Sequence, residues 1–344
     1  MNGHALPLLT VAIPTYTRAN FLELNLQRLV EEARTLAPGL LEVVVSDNCS
    51  TDATPEVVAR AQAQGLPIRY IRNMVDIGSD ANIAQCFNEA RSHYVQIMGD
   101  DDMYVSGTLS YLIDHLNKAE YGIVCLRPFG YENDPEKEYP GGDASIETYD
   151  KVGDFLAAIG PYITFISACI INKRVQEEID ARQFCGSNLV QVHLIVNAVL
   201  QVKHNSYLKR YILACKRANS GGYDFSEVFV ERLGRILDSY REAGLGPSEI
   251  RQFETRMLTS YHPFNLVRQR LARQGDLRAT YKYFSERFGD RPLFVFWVAP
   301  IIRWSRPLAL VWGMMATLIG RTANGDLRRG AFFALNKLRR KYAG

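Results

Sequence analysis

The stretch Tyr94-Val-Gln-Ile-Met-Gly-Asp-Asp-Asp102 sets an apolar run directly against three consecutive carboxylates. A short apolar run closed by turn residues reads as a buried strand, with the acids just past its carboxyl end. Three adjacent carboxylates repel one another unless a cation offsets their charge. Mg²⁺ and Mn²⁺ do so with one or two carboxylates together with phosphate oxygens. Asp100, Asp101 and Asp102 therefore read as a metal–diphosphate site. The plain alternative is a solvated acidic turn ahead of the helix that starts near Thr108, where the helix dipole favours Asp.

The same pattern extends to both sides. Apolar, strand-like runs occupy residues 8–13, 41–46, 68–72, 94–98 and 122–126, and helical spacing fills 20–37, 54–64, 80–90 and 108–119. Short apolar strands alternating with helices predict a parallel sheet covered on both faces. Such sheets bind ligands beyond the carboxyl ends of their strands. Those ends carry Pro14-Thr15-Tyr16-Thr17-Arg18, then Ser46-Asp47-Asn48-Cys49-Ser50-Thr51-Asp52, then Arg72-Asn73-Met74-Val75-Asp76-Ile77-Gly78, then the aspartate run. Four polar ends on one edge point to a built site, in which Asp52 is better placed than Asp47 to cap the following helix. No Gly-x-Gly-x-x-Gly follows the first strand and no Walker loop occurs, so dinucleotide hydride chemistry and P-loop phosphoryl transfer lose support.

In order and spacing, Thr10–Arg18, Ser46–Asp52, Arg72-Asn73 with Gly78 and Asn82, and Tyr94–Asp102 resemble the family-2 glycosyltransferases of the GT-A fold, in particular the abequosyltransferase-like branch of O-antigen assembly. The resemblance covers residues 8–128 well, weakens from 160 to 225 and is absent beyond about 230. It implies an α/β GT-A sheet with helices on both faces, plus a helical carboxyl-terminal extension. By the resemblance, Pro14, Thr15, Tyr16 and Arg18 line the nucleotide pocket. Asp47 accepts a hydrogen bond from the base, Arg72 or Asn73 touches base or ribose, and Asp76 stands where the family often has Asn. Asp100 would face the ribose or the sugar, while Asp101 or Asp102 holds Mn²⁺ or Mg²⁺. The chemistry that the resemblance implies is transfer of one sugar from a nucleotide-sugar donor, with the metal and nearby cations neutralising the leaving diphosphate.

The boundaries expected are 1–223 for the transferase domain, split into a nucleotide-sugar half (1–128) and an acceptor half (129–223), and 224–344 for a helical region. The loop Lys216-Arg217-Ala218-Asn219-Ser220-Gly221-Gly222 has two cations, two small donors and two glycines, and is a candidate lid over the diphosphate. A general base is needed for the acceptor hydroxyl. The family's acidic pair is missing from residues 186–194, where Gln191 and His193 are the polar candidates; Glu177, Glu178 and Asp180 lie upstream. That gap supports the rival from another class, a catalytically silent sugar-nucleotide-binding scaffold. A sugar-1-phosphate nucleotidyltransferase is a weaker rival, since residues 14–18 hold no glycine.

Charge is unevenly distributed. The chain has 40 Lys/Arg and 37 Asp/Glu in 344 residues, yet residues 303–344 carry nine bases and one acid. A net of +3 is too near neutral to argue for nucleic acid. The basic end, with apolar runs at 293–302 and 307–320 and all three tryptophans at 297, 304 and 312, reads as an in-plane interfacial segment over 292–344. Neither run reaches the roughly 20 residues of a spanning helix. An anionic inner-membrane surface is thus the expected partner, with the chain peripheral on the cytoplasmic face. That setting fits the polyprenyl-diphosphate-linked acceptor of lipopolysaccharide-type assembly that the resemblance implies. Six cysteines without a CxxC spacing read as reduced thiols, and the N-terminus reads as a first strand, not a signal peptide.

Overall fold

The computed structural model describes residues 6–217 and 223–323. The chain divides into two compact units: Met1–Lys151 with Tyr162–Ser220, and Val152–Pro161 with Gly221–Gly344.

The first unit begins β1 (Leu9–Thr15), α1 (Ala19–Ala33), β2 (Leu41–Asp47), α2 (Thr54–Ala63), β3 (Ile68–Arg72), α3 (Ser79–Glu89) and β4 (Tyr94–Ile97). It continues with β5 (Asp102–Tyr104), α4 (Leu109–Leu116), β6 (Ile123–Tyr131) and β7 (Ile146–Tyr149). After α5 (Val152–Ile159), which belongs to the second unit, come β8 (Cys169–Asn172), α6 (Val190–Gln201) and β9 (Asn205–Lys216).

The alternation follows the local chemistry. Leu22, Leu26, Leu29 and Val30 form the buried stripe of α1. Proline stands in the first turn of α2, and Gly65 with φ of 90° ends it. Asp52 does cap: Oδ1 accepts from the Thr54 amide at 3.2 Å and the Thr54 hydroxyl at 2.6 Å. Its Oδ2 accepts from Ala19 N at 2.8 Å, so one carboxylate serves the starts of both α1 and α2.

The strand order is β3-β2-β1-β4-β8-β6-β9-β5, with β7 on β9. Strands β1 to β4 pair in parallel. The parallel expectation is corrected further on: β8 lies antiparallel between β4 and β6, and β5 antiparallel on β9. The chain enters β8 through a 3₁₀ turn, Ile166–Ala168, and the strand runs antiparallel to both of its neighbours. Leu9, Val11, Ile13, Val43 and Val45 face one fully buried core with the helices. All six cysteines are unpaired.

The second unit is helical: α5, α7 (Leu233–Ser239), α8 (Pro247–Arg256), α9 (His262–Ala272), α10 (Leu277–Phe288), α11 (Ala299–Arg303) and α12 (Arg306–Ala323). π-Helical stretches precede α7, α9 and α11. Leu258, Leu266, Phe284, Phe294 and Val298 are buried together, and the buried His262 ring stands edge-on to Phe284 at 5.0 Å.

The tryptophans do not share one outward face. Helical structure lapses at Trp304 and Ser305 between α11 and α12, so no continuous helix fixes their phase. Trp297 and Trp312 pack edge to face at 6.0 Å against the core, and Trp312 Nε1 donates to Trp297 O at 3.1 Å. No helix among the described residues is long and apolar enough to cross a membrane. The expected basic positions Arg328, Arg329, Lys337, Arg339, Arg340 and Lys341 lie outside the described residues.

Candidate active site

Sheet register assembles the site. Thr15 pairs with Asp47 and Asp47 with Arg72, so one row across β1, β2 and β3 carries three polar residues at the carboxyl edge. On the other flank of β1, Met98 N donates to Ala12 O at 2.8 Å, which aligns the end of β4 and delivers Asp100 to Asp102 to the same edge.

Asp100 and Arg18 lie at the centre. Thr15 Oγ1 donates to Asp100 Oδ2 at 2.8 Å, and Arg18 Nε lies 3.2 Å from Asp100 Oδ1. Arg18 Nη2 lies 2.8 Å from Asp101 Oδ2. That Nη2 is buried and is held in the ion pair with Asp101. Burial pushes Asp100 up to about 6 against the pull of Arg18.

Asp102 takes a different environment. It is buried at the start of β5, paired in the sheet with Cys215, and accepts a hydrogen bond from Ser167 Oγ. Burial, then the charge of Asp101, pushes it up to about 7. Ser167 also receives Gly99 N at 2.9 Å. Asn25 donates to Gly99 O at 3.2 Å and to Asp102 O at 2.5 Å, so α1 holds the aspartate turn from below.

The three carboxylates do not form a cage. Among the described residues no group of three or more His, Cys, Asp or Glu is arranged to hold an ion. Asp100 is turned to Thr15 and Arg18. Asp101 and Asp102 fit a cation better: a Cβ at Gly99 would lie 3.1 Å from both Asp101 Oδ1 and Asp102 Oδ2. The missing side chain leaves room where two hard oxygens converge. Two carboxylates completed by diphosphate oxygens is the donor set that Mg²⁺ or Mn²⁺ accepts.

Around the nucleotide positions, Asp47 is fully buried. Its Oδ1 accepts from Ser50 N at 2.8 Å, Tyr70 donates to Oδ2, and Arg72 Nε is 3.7 Å away. Asn73 N donates to Asp47 O at 2.8 Å. Asn48 forms the hub that residue types alone did not single out. Its N donates to Thr15 O, its Nδ2 to Asp76, and its Oδ1 accepts from Ile77 N at 2.9 Å and Asn73 Nδ2 at 3.3 Å. Asp76 thus shapes the loop through Asn48. Pro14 is half-buried, and Tyr16 is 50% exposed beside this row.

On the acceptor side, Gln191 Nε2 donates to Thr164 O at 2.9 Å, while its buried Oε1 has no protein donor. His193 stacks on Phe184 at 4.3 Å, and burial pushes it down to about 4. That is a packed, neutral ring. Asp180 caps the 3₁₀ turn at Ala181–Phe184 and pairs with Arg182; Glu177 and Glu178 are exposed. A residue overlooked in sequence is Asp80, at the start of α3. Its Oδ2 accepts from Gly186 N at 2.7 Å and Asn188 N at 2.9 Å, bringing a carboxylate to the acid-free loop before α6. Asn188 holds φ of 58° there. Only backbone pairing makes this link, so residue spacing gave no signal of it.

Arg217 follows the strand that pairs with Asp102. Its N donates to Tyr131 O at 3.0 Å and its Nη1 lies 3.3 Å from Glu132 Oε1. The other lid candidates, Asn219 and Ser220, lie outside the described residues.

Residues 10–176 match the family model described as Glycosyl transferase family 2. Abequosyltransferase RfbV of Salmonella typhimurium is 27% identical over 203 residues, which cover 55% of this chain and 60% of that protein. The GalNAc(5)-diNAcBac-PP-undecaprenol beta-1,3-glucosyltransferase of Campylobacter jejuni is 28% identical over 177 residues, covering 50% and 56%. The alignments thus span a little more than half the length of these relatives. Among solved structures, S. aureus TarS 1-349 in complex with UDP-GlcNAc superposes with a TM-score of 0.63 at 14% identity, covering 92% of each chain. The mannosyltransferase PcManGT from Pyrobaculum calidifontis, in complex with GDP-Man and Mn²⁺, gives 0.51 at 16% identity over 97% of this chain and 87% of that one.

Proposed function

Because residues 10–176 match the family-2 glycosyl transferase model on a GT-A fold, in a chain resembling O-antigen enzymes, we propose that it is a metal-dependent transferase of a single sugar. The donor is a nucleotide sugar and the acceptor a polyprenyl-diphosphate-linked saccharide of surface-polysaccharide assembly. The Campylobacter jejuni relative, whose name carries a PP-undecaprenol-linked saccharide, supports the acceptor class. The enzyme would work peripherally at the cytoplasmic face of the inner membrane.

The observation that carries this reading is the convergence of Arg18 with Asp100 and Asp101, beside the row Thr15, Asp47 and Arg72. Breaking the anomeric C–O bond leaves a nucleoside diphosphate with added negative charge. Asp101 and Asp102 would hold a divalent cation, which when bound supplies Lewis-acid neutralisation of that charge. Arg18 offers a fixed guanidinium donor to a phosphate oxygen, at no cost of reorganisation during the reaction. Thr15 orients Asp100 through its hydrogen bond. Asp47 supplies a buried acceptor for a base N–H, with Arg72 and Asn73 closing the pocket edge. Arg217 would lend its charge to the diphosphate from the strand end after Asp102's partner, and Gln191 and His193 belong to the acceptor side.

The test is calorimetric titration of the full chain with UDP, dTDP, CDP and GDP, each with and without Mn²⁺, followed by transfer assays on undecaprenyl-diphosphate-linked saccharides. Mn²⁺-dependent binding of one nucleotide with turnover is expected. Tight binding without turnover on any acceptor would favour the scaffold reading, and no binding at all would overturn both.

A further inference from the structure

The helix α12 is built inside out. Ala309, Gly313, Ala316 and Gly320 are its buried residues, whereas Leu308, Val311, Met314, Met315, Leu318 and Ile319 are 40–66% exposed. At 100° per residue the exposed set fills an arc of about 140°, opposite the small residues. The small side has a steric reason. A Cβ at Gly320 would lie 1.7 Å from Thr259 O, and one at Gly313 would lie 2.4 Å from Val267 Cγ2. Close backbone approach therefore fixes which face turns inward and leaves the long aliphatic side chains outward, except Leu310, which packs in part against the core.

A helix in water normally places its charges on the outer face. Here residues 307–320 contain no charged side chain at all. Small residues toward protein and large apolar ones away from it is the arrangement that suits hydrocarbon as the outer solvent. The uncharged run is too short to span a bilayer, and no described helix qualifies as a span. The charges at its margins fix the occupant. Residues 292–323 hold Arg303, Arg306 and Arg321 and no Asp or Glu. Arg321 lies over the Phe264 ring at 4.2 Å and Arg303 over Tyr281 at 5.2 Å, which anchors both guanidinium groups beside the helix. A second copy of the same face would bring arginines against arginines, whereas anionic headgroups complement them.

We propose that the Leu308–Val311–Met315–Leu318 stripe of α12 docks in plane on an anionic lipid bilayer, with the flanking arginines at the headgroups. This deepens the membrane part of the proposed function, but it stands on the second unit alone and is read without catalysis. The test is flotation of the full chain with vesicles of phosphatidylethanolamine and phosphatidylglycerol, against phosphatidylcholine alone. The parent should float with the anionic vesicles at low salt. Val311→Asp with Leu318→Asp should lower the bound fraction by about tenfold or more, with an unchanged circular dichroism spectrum and unchanged nucleoside diphosphate titration. Because both positions are exposed, Val311→Gln with Leu318→Gln offers an uncharged second variant expected to move in the same direction. Equal flotation of parent and variants, or no flotation of the parent, overturns the proposal. So does a parent dimer in light scattering that the variants convert to monomer with vesicle binding intact; the stripe would then be a self-association face. Loss of turnover with flotation preserved would count against the transferase reading, not against the docking surface.

Discussion

Arg18 Nη2 stands 2.8 Å from Asp101 Oδ2, joining the end of the first strand to the aspartate turn after the fourth. The pair exists because β1 and β4 are parallel neighbours whose carboxyl ends coincide. A cation of fixed fork geometry thus stands beside the aspartate turn at the carboxyl edge of the sheet.

Arg18→Ala is expected to weaken nucleoside diphosphate binding by about tenfold to a hundredfold, the range of one charge-assisted bidentate contact. Arg18→Lys should recover only part of it, since an ammonium keeps charge but not the fork. Calorimetry reads both. Unchanged affinity in Arg18→Ala would remove Arg18 from the donor site.

Asp101→Ala and Asp102→Ala should each lower Mn²⁺-supported transfer by about a hundredfold or more, and chelation by EDTA should abolish it in the parent. Wild-type rates in both variants would show that the cation is held elsewhere or not used.

Asp80→Ala removes the acceptor for Gly186 N and Asn188 N, while Asp80→Asn keeps an oxygen there. A positioning residue should therefore lose about tenfold in turnover as Ala and recover most of it as Asn, with donor KM moving less than kcat. Equal loss in both variants would mean that the negative charge itself is required.

Asp52→Ala deletes the cap shared by α1 and α2 and should cost about 0.5–2 kcal/mol in denaturant unfolding. Burial opposes ionisation of Asp52, but hydrogen bonds from Thr54 and Ala19 outweigh it and hold its pKa below the usual value. The folded value is depressed, so the stabilisation is present above the unfolded pKa near about 3.9 and is lost as pH falls through the folded one. The parent–variant gap should accordingly narrow below about pH 4.

Gly320→Ala places a methyl group against the Thr259 carbonyl and should destabilise the helical unit by about 1–3 kcal/mol. A thermal midpoint equal to the parent's would mean that α12 does not pack on the Met257–Tyr261 stretch as closely as the backbone contact requires.

Much of this site was open to reading in one dimension. Apolar runs ending in Thr15, Asp47, Arg72 and Asp100 identified strands and their polar ends, because strand burial and ligand-facing polarity are both written locally. The four motifs carried the family, and Asp52 was legible as a cap because capping acts over two or three residues. The antiparallel insertion of β8 was not legible, since its direction depends on which neighbours it finds. Nor was the partition of the aspartate trio, where Asp100 turns to Arg18, Asp102 to Ser167, and a bare Gly99 makes room between Asp101 and Asp102. Asp80 could not be linked to Gly186 and Asn188 because the contact runs through backbone amides, which every residue possesses.

The carboxyl-terminal helix makes the same division plain. That residues 307–320 are apolar and uncharged between arginines is a property of composition and is read directly from the residue order. Which side of α12 faces outward is set by packing against distant parts of the chain. Periodicity pointed to the tryptophans, but the backbone of α12 can approach Thr259 and Val267 only through Gly320 and Gly313. That steric constraint turned Trp312 onto Trp297 and left Leu308, Val311, Met314, Met315, Leu318 and Ile319 on the surface.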